Sequence, residues 1–183
     1  MKSAFLMLAA ASLDGGQTAA ELDAVARVAA AMVDGDVCQR IVTERAMGYL
    51  VKEDPRDPYL GSDNYDVNHE AFLATKKTLI RLSRLVDFPC DVNLWMPLPG
   101  DSGRVHIVIR NANEMSQFWR WGALHQETPA PMRRVLETGE RVTATESPGW
   151  ISVLAPVRNS LDDIVGVVEV VSRARPDPRE NVK

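Results

Sequence analysis

The chain has 183 residues, 45% hydrophobic and 25% charged, with a formal net charge of −4. That composition suits one well-cored globular domain, and it argues against a nucleic-acid surface, which needs a concentrated excess of Lys and Arg to displace counterions. Cys38 and Cys90 stand far apart in sequence, without C-x-x-C spacing or a His cluster, so buried free thiols are expected in place of a zinc site or a disulfide framework.

Lys2 precedes an apolar run from Ala4 to Leu13, about ten residues, whereas a bilayer span needs roughly 20. With Gly15, Gly16 and the small residues Thr18 to Ala20 behind it, segment 1–20 reads as signal-peptide-like, as a truncated membrane anchor or as the start of a helix. The first two readings place the protein outside the cytoplasm or on a membrane; the third leaves it cytoplasmic. Thr18 and Glu21 have capping-box spacing, and Leu22, Val25, Ala26, Ala29 and Val33 then recur at three and four, which predicts a helix. Its stripe Ala26, Ala29, Ala30 and Val33 suits either packing within the chain or a parallel homodimer. Asp34-Gly35-Asp36 predicts a turn, after which Ile41 to Leu50 resumes a helical pattern.

Residues 53–69, with two prolines, a glycine and four aspartates, predict an exposed loop. Asp54, Asp57, Asp63 and Asp66 are hard oxygen ligands, but the EF-hand ladder and its terminal glutamate are missing, so a solvated acidic loop is expected and no metal. From Glu70 to Val86 the apolar set Phe72, Leu73, Leu79, Ile80, Leu82 and Val86 predicts a second helix, with Lys76, Lys77, Arg81 and Arg84 on its other side. Val92 to Leu98 and Arg104 to Arg110 then predict a β-hairpin across the turn formers 97–103. The stretch Asn111 to Leu124 is dense in aromatics, with Phe118, Trp119 and Trp121 around Arg120, a composition suited to a binding surface. Thr128 precedes a short helix, Pro129 to Glu137, closed by Gly139.

The organising stretch is Trp150 to Ser172, which predicts two strands joined by the polar linker Arg158 to Asp163. A hairpin this apolar must be central in its sheet, because an edge of such length would invite aggregation. Leu154-Ala155-Pro156-Val157-Arg158-Asn159-Ser160 followed by Ile164-Val165-Gly166-Val167-Val168 resembles the last two strands of Cache-type, PAS-like sensor domains of bacterial receptors. Asp34-Gly35-Asp36 matches a tripeptide near the end of their N-terminal helix, and Leu136-Glu137-Thr138-Gly139-Glu140 matches their short helix before the final hairpin. The resemblance covers roughly residues 20–172 and implies an α+β domain over 21–172. In it a long N-terminal helix and a second helix pack on a central antiparallel sheet of about five strands, and residues 173–183 form a charged tail. It further implies a small molecule bound on the other face, a homodimer formed through the N-terminal helix, and a signal relayed to a membrane segment or an effector.

No turnover chemistry is expected. His69, His106 and His125 sit in dissimilar contexts, and nucleophile-elbow, Walker, dinucleotide and H-E-x-x-H patterns are missing, which leaves a dispersed hydrolase site as the remote alternative and gives no sign of a cofactor. Strand alternation groups Trp95 with Asn93, Arg110 with His106, and Trp150 with Ser152. If these faces are one, Trp95, His106, Arg110, Trp150 and Ser152 form an aromatic-walled cleft with a cationic floor, closed by Trp119, Arg120 and Trp121 and suited to a small carboxylate. The alternatives are that the tryptophans fill the core and that the domain is a ligand-free structural or dimerisation module.

Overall fold

The computed structural model describes residues 3–51, 69–120 and 123–174. The acidic loop with Asp54, Asp57, Asp63 and Asp66, the indole of Trp121 and the charged tail lie outside the described residues. Five helices accompany one antiparallel sheet: α1 (Ser3–Met32), α2 (Gly35–Gln39), α3 (Glu44–Val51), α4 (Glu70–Leu82) and α5 (Ala130–Thr138). The strands are β1 (Asp91–Leu98), β2 (Asp101–Ile109), β3 (Gln126–Glu127), β4 (Val142–Ala144), β5 (Trp150–Arg158) and β6 (Ile164–Arg173). They lie in the order β3-β2-β1-β6-β5-β4, so the expected five become six through the two-residue edge strand β3.

Helix α1 starts well before the capping box, and Thr18 is a fully buried interior position. Alanine, leucine and methionine are the strongest helix formers, and the glycine pair at 15–16 only weakens a helix that nothing stops before Met32. No described helix is long and apolar enough to cross a membrane. Leu22, Val25, Ala26, Ala29 and Val33 are buried in the core beside the sheet, and Ala30 of the small-residue stripe is partly buried against it. Val28 and Met32 remain exposed on the opposite side of the helix.

At Asp34 the side chain caps α2 by accepting from the Val37 amide, while Asp36 Oδ2 accepts from the Ser160 amide at 2.8 Å. Gly35 is buried so tightly that a Cβ would overlap the Arg158 carbonyl. The D-G-D tripeptide therefore docks the end of α1 onto the β5–β6 turn. Cys38 and Cys90 are buried free thiols, each pushed up to about 12 by burial.

Paired residues on neighbouring strands project to the same face, which splits the core in two. The inner face, Val92, Leu94, Met96, Val153, Ala155, Val168 and Val170, packs under α1 and α4. The outer face carries Trp95, Leu154 and Val167 and is covered by Met132 and Val135 of α5 and by Phe118. Strand alternation holds along β5 and β6 but fails in β2. A register shift between Leu94 and Trp95 sets Ile109 opposite Leu94, and both Val108 and Ile109 then join the inner core. His106, paired with Met96, faces inward, whereas Arg110, predicted beside it, instead reaches Trp119 over the outer face.

Candidate functional site

At the centre of the outer face lies Glu169, an acid inside the apolar run of β6 and fully buried. Oε2 accepts from Asn93 Nδ2 (3.3 Å), Trp95 Nε1 (3.0 Å) and Ser116 Oγ (2.7 Å). Oε1 accepts from the Gln117 amide (3.0 Å) and Ser152 Oγ (3.0 Å). The serines must donate, because Ser116 Oγ already accepts from the amides of Phe118 and Trp119, and Ser152 Oγ from Gln117 Nε2. Burial pushes the Glu169 carboxyl above the ordinary carboxylate range, against the pull of these donors.

Asp91, also fully buried, does the same work one turn of the loop earlier. It accepts from the amides of Asn113 (3.3 Å) and Met115 (2.8 Å), while Asn93 Oδ1 accepts from the Asn111 amide (3.0 Å). Every second amide of the 111–117 segment is thus taken by a side chain of the sheet, not by another strand's backbone. This row of polar groups holds down the aromatic segment, and from it Phe118, Trp119 and Arg120 project.

Between that segment and the N-terminal end of α5 opens a cleft of about 660 Å³, lined by Gln117, Phe118, Arg120, His125, Thr128 and Glu146, among others. Helix α5 begins at Pro129 with no side-chain cap, which leaves first-turn amides for a partner. Thr128 is 3% exposed and its hydroxyl has no hydrogen-bond partner. Arg104 Nη1 lies 3.3 Å from His125 Nδ1; a guanidinium only donates, so Nδ1 accepts and the imidazole proton sits on Nε2. Arg120, His125 and the helix end supply donors, and Glu127 and Glu146 stand exposed at the cleft wall.

The residues proposed from sequence are thereby divided among several places. Trp95 and Ser152 share the outer face, but both are buried on Glu169, so Trp95 fills the middle of the face. Trp150 sits at the start of β5 beneath the Arg173 guanidinium, 4.8 Å from its ring centre. Arg110 stacks on Trp119 at 4.1 Å and lies 3.8 Å from Glu114, outside the cleft lining. Of the eight candidates, only Arg120 lines the cleft among the described residues. Glu169, Asp91 and Gln117 were missed, although a lone acid in V-V-E-V-V of a strand read as central was itself a sign of a buried, satisfied carboxylate.

His106 is 1% exposed, and burial together with the nearby His125 pushes its imidazole down to about 4 from 6.5. Between those values the unfolded chain binds the extra proton, so stability falls as the pH drops through this window. The wild type is expected to lose about 3 kcal/mol more than His106→Gln on going from neutral pH to the lower end of the window, measured by urea unfolding. Equal acid sensitivity of the two proteins would show that His106 takes up its proton without loss of structure.

No protein-family model matches the chain, and no curated protein matches it. Among the described residues no group of three or more His, Cys, Asp or Glu side chains is placed to hold a metal ion.

Proposed function

We propose that the protein is a sensor domain of the Cache/PAS kind, binding a small carboxylate in the cleft between the 117–128 segment and α5 and relaying occupancy through β6 and α1 to a membrane segment or effector. The observation that carries this reading is the convergence of Arg120, the His125 Nε2 proton and the uncapped end of α5 on one cleft. Binding is the chemistry this reading assigns to the cleft, with Arg120 and His125 as donors to an anion. A ligand-free structural module is the second reading, favoured by Trp95 and Glu169, which fill the middle of the outer face.

A thermal-shift series with acetate, lactate, malate, succinate and citrate separates the two. At least one should raise the melting temperature, and Arg120→Ala should weaken that ligand roughly tenfold or more, the loss expected of a charge-assisted hydrogen bond. Arg110→Ala should leave the affinity unchanged. No shift with any of the five, or an Arg120→Ala protein that binds as well as the wild type, would favour the structural module.

A further inference from the structure

Gln117 belongs at once to the cleft and to the clamp beneath it. Its side chain lines the cleft, while Nε2 donates to the Ala144 carbonyl (3.0 Å) and to Ser152 Oγ (2.8 Å), and Oε1 accepts from the Ser147 amide (3.0 Å). Its backbone amide donates to Glu169 Oε1 in the middle of β6. One residue thus ties the cleft wall to β4, to the β4–β5 connection, to β5 and to β6. Glu146, on that same connection, also lines the cleft.

We infer that the Gln117–Glu169 contact is the element that couples occupancy of the cleft to β6, the last strand of the sheet. The inference rests on the proposed sensor reading for its purpose, but the contact itself is independent of any ligand. The rest of the clamp acts as the rigid support: Asp91 and Asn93 fix residues 111–115, so a displacement at Gln117 is not absorbed upstream. It passes instead to Glu169, two of whose other donors, Trp95 and Ser152, are locked in the core. Packed side chains with discrete hydrogen-bonding alternatives are the physical means by which such a displacement becomes a shift between states.

The test needs no ligand. Ala130 is an exposed residue on the cleft wall opposite Gln117, and Ala130→Trp fills the cleft with a tethered ring. Amide hydrogen exchange is then followed at Val167 to Val171 in four full-length proteins: wild type, Ala130→Trp, Glu169→Gln and the double variant. Filling the cleft should change exchange in β6 by about fivefold or more in the wild-type background, the lower end of coupling between sites, and not in the Glu169→Gln background. An unchanged β6 in Ala130→Trp, or the same change in both backgrounds, overturns the inference. Should Glu169→Gln fail to fold, Gln117→Pro, which removes the backbone N–H that makes the contact, takes its place with the same two outcomes. A positive cycle together with a negative carboxylate series would sink the sensor reading and leave the coupling standing; the reverse result would do the opposite.

Discussion

Glu169→Ala is expected to remove on the order of 4 kcal/mol of stability and to release residues 111–119 from the outer face. Five donors lose an acceptor together; the Trp95 indole is 1% exposed, while Asn93 Nδ2 keeps the Met115 carbonyl at 2.7 Å. Each buried donor left unsatisfied costs about 1–3 kcal/mol, and the two serines, free to rotate, keep the total below the plain sum. Glu169→Gln keeps the shape but turns an amide toward donors, so about half that loss is expected. Urea unfolding gives the magnitude, and trypsin gives the location, through faster cleavage after Arg110 and Arg120. A Glu169→Ala protein within about 1 kcal/mol of the wild type would show that the clamp is redundant. The carboxyl also has a pH signature. Its folded value is raised, so its contribution is present below the ordinary 4.5 and declines as the pH rises from there through the raised value. This slope is opposite in sign to that of His106 and should vanish in Glu169→Gln.

Gly35→Ala should lose about 3 kcal/mol, although alanine is the better helix former by about 1 kcal/mol. The added carbon meets the Arg158 carbonyl and the Val165 side chain, and the first is backbone at the end of the β5–β6 hairpin, where the chain cannot give way. Gly16→Ala supplies the contrast: nothing lies within 4 Å of its added carbon, so it should stabilise by up to about 1 kcal/mol. Thermal melts of the two variants therefore move in opposite directions. If Gly35→Ala melts as high as the wild type, the close docking of α2 on the hairpin is not as described.

Much of the fold could be read in advance because its signals are local. Period-two runs of β-branched residues marked β5 and β6, the Pro-Gly turn marked the β1–β2 hairpin, and Pro129 with Gly139 bracketed α5. Alternation also placed Trp95 and Asn93 on one face of β1. What could not be read were events that depend on the partner strand. The register shift beside Trp95 arises from the pairing of β1 with β2 and moves Arg110 away from His106. That α1 begins before the capping box is one of three readings open for residues 1–20, since a capping box marks where a helix can begin and does not stop one already formed. The cleft is lined by residues between 117 and 130 and by Glu146, and its Gln117 is held by Glu169, far away in sequence.

The two rims of the sheet are its shortest strands, β3 with two residues and β4 with three. An incoming extended chain meets no long strand at either rim, since β3 spans only Arg104 and Val105 of β2 and β4 only Ser152, Val153 and Leu154 of β5. The run Ile164 to Val171, which as an isolated peptide has the makings of a fibril former, pairs with β5 and, from Val167 to Val171, with β1 as well. Fibrils of this protein, if seeded, should therefore grow at a rate set by global unfolding and not by the concentration of the folded form.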